Sequence, residues 1–166
     1  MILSRRKRDP KAEFPDARFT SGAAKTIRLS DQIALKHHHE YLGSEHLLLA
    51  LYRDQDASVQ ESIRLFPGVS RKVRECIRED QGPPLILLTR PNLSRTVEHR
   101  LAIETAIGLA GQNPVGSIHL LNGVMNCSCV ARNCLDSIYE NFQSIADQVR
   151  RRLTHDEVFP DTDLDQ

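Results

Sequence analysis

Two segments of this sequence place chemically able side chains close together. In the first, Cys127, Cys129 and Cys134 follow His119 and could be drawn as a thiolate–imidazole metal site. Structural zinc sites space paired cysteines two residues apart and supply a second pair. Here the gap between Cys127 and Cys129 is one residue and no second pair follows. On a helix, Cys129 and Cys134 would stand about 140° apart around the axis and share a face poorly. The spacing therefore predicts small buried hydrophobes rather than ligands. In the second segment, His37-His38-His39-Glu40 could take up nickel or zinc adventitiously, but as a loop between helices it is expected to hold no specific ion. No metal and no cofactor are expected.

A third pattern is a near-repeat. Leu42-Gly43-Ser44-Glu45-His46-Leu47-Leu48 returns as Val115-Gly116-Ser117-Ile118-His119-Leu120-Leu121. Gly43 is expected to take a backbone conformation closed to other residues. Ser44 is expected to cap the helix that follows, and Glu45 to place negative charge in its positive first turn. His46 and His119 recur at one place in both copies. Such recurrence predicts a structural task, an imidazole hydrogen-bonded to a nearby backbone group. Catalysis would require a nucleophile or partner that the pattern does not supply, so no enzyme is expected. One position differs in kind: Glu45 is matched by Ile118.

The chain of 166 residues is long enough for one domain or two small halves sharing a core. Its 22 basic and 22 acidic residues cancel, which argues against a surface built for nucleic acid. The basic run Arg5 to Lys11 has no interleaved aromatic residues for stacking on bases. No apolar run approaches the roughly 18 residues of a membrane span. The basic start lacks an apolar segment behind it, so no secretory signal is expected. The four cysteines do not reach the density of a secreted disulfide scaffold, and a cytoplasmic setting is the expectation.

Helical periodicity organises the rest. Residues 1–17 read as a disordered basic leader, 18–80 as a first repeat, 81–92 as a linker, 93–153 as a second repeat and 154–166 as an acidic tail. Helices are expected from Thr20 or Ser21 to His37, from Ser44 to Arg53, from Ala57 to Phe66, and after Ser70 with Val73 and Ile77 on one face. Gly82-Pro83-Pro84 breaks the pattern, and Leu85 to Leu88 is undecided between strand and extended packing. Leu93-Ser94 aligns with Phe19-Thr20 and Leu101 with Ile27, so Ser94 is expected to cap a helix with Val97, Leu101, Ile103 and Ile107 inward. Further helices follow Ser117, run from Cys129 to Tyr139, and run from Phe142 to Leu153 with Phe142, Ile145 and Val149 inward. The expected fold is all-α, two pseudo-symmetric four-helix repeats making eight helices, neither half comfortable alone.

Phe19-Thr20, the alanine-spaced first helix, Gly43-Ser44-Glu45-His46-Leu47-Leu48-Leu49-Ala50-Leu51, Val59 and Gly68-Val69 together resemble the Clp amino-terminal repeat domain. That module heads the unfoldases ClpA, ClpB and ClpC and is built from two four-helix repeats. The resemblance covers about residues 18–153. No Gly-x-x-x-x-Gly-Lys-Ser/Thr phosphate loop is present, so the resemblance implies the recognition module without its motor. It implies a freestanding adaptor or accessory subunit whose partners are Clp unfoldase or protease subunits, adaptor proteins and clients. The alternative is a regulatory interaction domain that reuses the fold outside Clp proteolysis. In ClpC-like members the matching Glu, with the Thr that opens the first helix, helps to hold phosphorylated arginine. Carried over, this implies Thr20, Ser44 and Glu45 as a client site, and Ser94 with Ile118 as a degenerate second site that cannot pair with a guanidinium.

Overall fold

The computed structural model describes residues 16–79 and 93–156. The basic run from Arg5, the segment Leu85 to Leu88 and the acidic tail from Glu157 onward lie outside the described residues.

After a 3-10 turn at Asp16–Arg18, the first half carries α1 (Ser21–Lys36), β1 (Tyr41–Leu42), α2 (Ser44–Tyr52), α3 (Ala57–Ile63) and α4 (Val69–Glu79). The second half carries β2 (Ser94–Arg95), α5 (Val97–Ala110), α6 (Ser117–Asn126), α7 (Val130–Ile138) and α8 (Phe142–Asp156). The all-α expectation of two four-helix halves is met. Helices α3 and α7 stop short of the expected Phe66 and Tyr139.

Helix α2 is buried from Ser44 through Leu51, all the way round. A helix apolar on every side must be central, and α2 is wrapped by α1, α4, α6 and α7. Its counterpart α6 is buried in the same way. Gly123 lets α6 approach α5 closely: a Cβ there would stand 2.2 Å from the carbonyl oxygen of Ala102. Phe142, Ile145 and Val149 face inward as expected, while Val97 and Leu101 do not, being 71% and 40% exposed.

That last difference exposes a register error. Thr20 caps α1 by accepting the amide of Ala23, and Thr96 caps α5 by accepting the amide of His99. With Thr96 matched to Thr20, the buried residues coincide: Ala23, Thr26, Ile27, Ser30 and Ala34 fall on His99, Ala102, Ile103, Ala106 and Ala110. Ser94 is therefore not the cap. It lies in β2, paired with Tyr41 of β1.

The halves are joined by an exchange. The amide of Thr96 donates to the carbonyl of Leu42 at 3.0 Å, and the amide of Thr20 donates to the carbonyl of Val115 at 3.0 Å. Leu42 and Val115 are matched residues, so the two bonds are one bond seen twice through a pseudo-two-fold. Each half completes the other's strand–helix junction.

Candidate functional site

The junction before α2 gathers the polar groups. Gly43 is the N-cap of α2, at φ −100°, an ordinary conformation. The expected special backbone is absent; what glycine supplies is space. A Cβ on Gly43 would lie 2.3 Å from both carboxylate oxygens of Glu45, which fold back over it. Gly116 meets only His119 Nδ1, at 3.5 Å.

Ser44 does not cap its own helix. It is the first helical residue, fully buried, and its hydroxyl oxygen accepts the amide of Ala131 in α7 at 3.2 Å. The serine thus ties the first half to the second.

His46 does what the recurrence implied. Its Nδ1 accepts the amide of Gly43 at 2.9 Å, as His119 Nδ1 accepts that of Gly116 at 3.0 Å. Each imidazole satisfies an amide at a helix start that has no partner within the helix. With Nδ1 accepting, His46 Nε2 carries the proton and donates to His39 Nδ1 at 2.8 Å. His39 stacks on Tyr41, ring centroids 5.2 Å apart. Glu45 Oε1 lies 3.5 Å from His46 Nδ1.

His39, Glu45 and His46 each offer one ligand atom within 4.8 Å of the others, all three buried. That is the donor set of a small divalent cation. Occupancy would require breaking the bond between the two imidazoles. The matched residues of the second half, Gln112, Ile118 and His119, offer no such set.

From the second half, β2 brings Arg95, and the first turn of α5 brings Thr96 and His99. His99 is fully buried, and neither ring nitrogen has a hydrogen-bond partner. Burial drives its pKa down to about 3, aided by the positive charge of Arg95, so it is held neutral. Burial raises the pKa of Asp31, against the opposing pull of Arg95.

The expected client residues are not all together. Glu45 adjoins His46, whose partner His39 bonds back to Ala34 near the end of α1. Thr20 sits at the opposite end of that 16-residue helix, on the order of 24 Å away at 1.5 Å per residue. The threonine that meets the Glu45 junction is Thr96. Thr20 meets the Gly116 junction, where Gly22 lies beside Ser117. Ser94 belongs to neither cap. Ile118 is buried at 7% exposure.

Residues 18–82 match the family described as the Clp repeat (R) N-terminal domain. They belong to the Clp N-terminal repeat family. A Clp protease ATP-binding subunit of Chlamydia pneumoniae, described as probable, is 28% identical over 142 residues, which is 82% of this chain and 17% of that protein. The chloroplastic chaperone ClpC2 of Arabidopsis thaliana is 33% identical over 150 residues, 87% of this chain and 15% of that protein. The chain thus spans about one-sixth of the length of these relatives. The Clp N-terminal fold is also seen in the solved N-terminal domain of ClpD from Arabidopsis thaliana, with a TM-score of 0.63 at 17% identity over 86% of this chain and 99% of that one.

Arg95, Thr96 and His99 were missed in the sequence, and His39 was read there only as part of an adventitious histidine run. For Thr96 a signal existed: only that match makes the apolar faces of α1 and α5 coincide. For Arg95 none did, because its neighbour Asp31 is brought by the exchange between halves; the partner of His39 is His46 of its own half, seven residues on across the turn into α2. Among the described residues no helix is long and apolar enough to cross a membrane.

Proposed function

We propose that this chain is a non-enzymatic protein-recognition module that works in the cytoplasm with Clp unfoldase or protease subunits or their adaptors. The observation that carries the reading is the Clp N-terminal repeat of residues 18–82, completed by a second half that supplies Thr96. The client site is the Glu45 junction. Glu45 offers a carboxylate for a guanidinium. The free first-turn amides of α5, with the Thr96 hydroxyl at its cap, offer donors for a phosphate. Exposed Val97 and Val130 flank the junction, since Thr96 bonds to Leu42 and Ala131 to Ser44. A carboxylate, helix-start donors and two exposed valines together suit an extended client segment bearing phosphorylated arginine. The Gly116 junction, with Ile118 in place of the carboxylate, does not bind it.

The test is affinity capture from the native cell, wild type beside Glu45→Gln, with titration of a phosphoarginine peptide. The amide keeps the shape and removes the charge. Clp subunits are expected with both proteins. Clients are lost from the variant, and peptide affinity falls about tenfold, the value of one charge-assisted pair. Capture of one unrelated partner, equally by both, would show the fold reused outside Clp proteolysis.

A further inference from the structure

The turn that enters α3 has a chemically different twin. Asp54-Gln55-Asp56 in the first half is matched by Cys127-Ser128-Cys129 in the second. In the first, Asp56 caps α3 by accepting the amide of Val59 at 3.1 Å, and Asp54 accepts the amide of Asp56 at 2.9 Å. In the second, Cys129 caps α7, its sulfur accepting the amide of Arg132 at 3.4 Å. A thiol is a weak acceptor. The position held by a carboxylate in one half is best served by a thiolate in the other.

The surroundings favour that thiolate. The Cys127 thiol hydrogen-bonds to Cys129, which is the largest cause bringing Cys129 down to about 6, and Ser44 adds a further bond. The protonated thiols of Cys127 and Cys129 also share one acceptor, each donating to the carbonyl oxygen of Val124, at 3.7 Å and 3.4 Å, which holds the two sulfurs side by side. Cys127 and Cys129 both have extended backbones, which turns the two side chains to the same side. Asn126, Ser128 and Val130 alternate with them and are exposed, so the sulfurs lie one residue beneath the surface.

We propose that Cys127 and Cys129 are a peroxide-oxidisable dithiol, with Cys129 the attacking sulfur and Cys127 the resolving one, and that their disulfide releases the cap of α7. The Cys129 thiolate attacks one oxygen of hydrogen peroxide. The O–O bond breaks, the departing hydroxide takes a proton to become water, and Cys129 is left as sulfenic acid. Cys127 then gives up its proton and attacks the Cys129 sulfur. The S–S bond forms, the S–O bond breaks, and a second water leaves. The two thiols lose two electrons, which the peroxide gains. Residues two apart in an extended chain have Cα atoms about 6.6 Å apart, near the upper end of the disulfide range. Closing the bond therefore contracts the turn, draws Cys129 off the amide of Arg132, and strains the adjoining bond from Ala131 to Ser44. Asp54 and Asp56 permit no such chemistry, so only the second half is switched.

The test uses the whole chain treated with hydrogen peroxide, blocked with iodoacetamide and cut with trypsin. Residues 101–132 form one tryptic peptide that contains Cys127 and Cys129 and no other cysteine. That peptide is expected to be lighter by two hydrogens and unalkylated, while Cys134 remains alkylated. In Cys127→Ser, dimedone is expected to label Cys129. In the oxidised wild type, the amides of Ala131 and Arg132 are expected to exchange with deuterium faster. A peptide still fully alkylated after Cys134 has been oxidised would overturn the proposal. So would dimedone labelling of Cys127 in Cys129→Ser, or unchanged exchange at Ala131 and Arg132.

Discussion

At the Gly43 junction, Glu45 folds its carboxylate over a glycine that has no room for a Cβ, and His39, Arg95, Thr96 and His99 close around it. At the Gly116 junction the backbone is alike: the same histidine-to-amide bond, the same threonine from the opposite half, the same serine at the first helical position. Yet Ile118 fills the place of the carboxylate, and Gly116 has ordinary space around it. The difference teaches that the histidine, the threonine cap and the exchange of strands maintain the fold, since both halves need them. What distinguishes one junction must serve something else. A buried carboxylate and a buried imidazole without a hydrogen bond cost stability, and the first junction tolerates Glu45 and His99 where the second has Ile118 and Ala23.

The largest effect is expected where the halves differ in helix spacing. Gly123 matches Ala50 of α2. Gly123→Ala would drive a methyl group into the carbonyl of Ala102, a backbone atom that cannot turn aside. Overpacking of this kind is expected to lower stability by about 3 kcal/mol. Ala50→Gly, the converse change, is expected to cost about 1 kcal/mol. Urea denaturation of both variants measures the contrast. Equal losses would mean that α5–α6 and α1–α2 are packed alike after all.

The next effect tests the tie between halves. Ser44→Ala leaves the buried amide of Ala131 without its acceptor. An unsatisfied buried amide costs about 2 kcal/mol. Deuterium exchange should show the loss first at the start of α7. A loss confined to α2 would mean that Ser44 serves its own helix, as its place after Gly43 suggested.

That misassignment marks the boundary of what could be read in the chain. The helices were legible because their apolar spacing is local: α1, α2, α6 and α8 were placed from residues within each of them. The duplication was legible from Gly43-Ser44 and Gly116-Ser117. The roles of Ser44 and Thr20 were not, because their partners, Ala131 and Val115, lie in the other half. Local pattern assigns a serine after glycine to capping, and only the exchanged packing shows it spent elsewhere. The reading of Ser94 as the cap of α5, with Thr96 passed over, fails for a related reason. Both carry hydroxyls, and the deciding fact is which choice buries Ile103 and leaves Leu101 at the surface.

The smallest effect concerns His99, whose matched residue in the first half is Ala23. In the folded chain His99 has its pKa near 3, below the ordinary value of 6.5. Between those limits the unfolded chain binds a proton that the folded chain refuses. The folded state is therefore favoured above about pH 6.5, and that advantage is lost as the pH falls toward 3. One such group gives a slope on the order of 1 kcal/mol per pH unit. Wild type is expected to lose that much between about pH 6 and about pH 5, before most carboxylates titrate. His99→Ala, which makes the second half like the first, is expected to start less stable, because it leaves a cavity, but to show a flatter profile over the same interval. Thermal unfolding of the two proteins across that interval separates the slope from the cavity. Parallel profiles would mean that His99 takes up its proton in the folded state as readily as in the unfolded one. The buried imidazole would then be no sensor of acid, and the contrast between the junctions would rest on Glu45, His39 and Arg95.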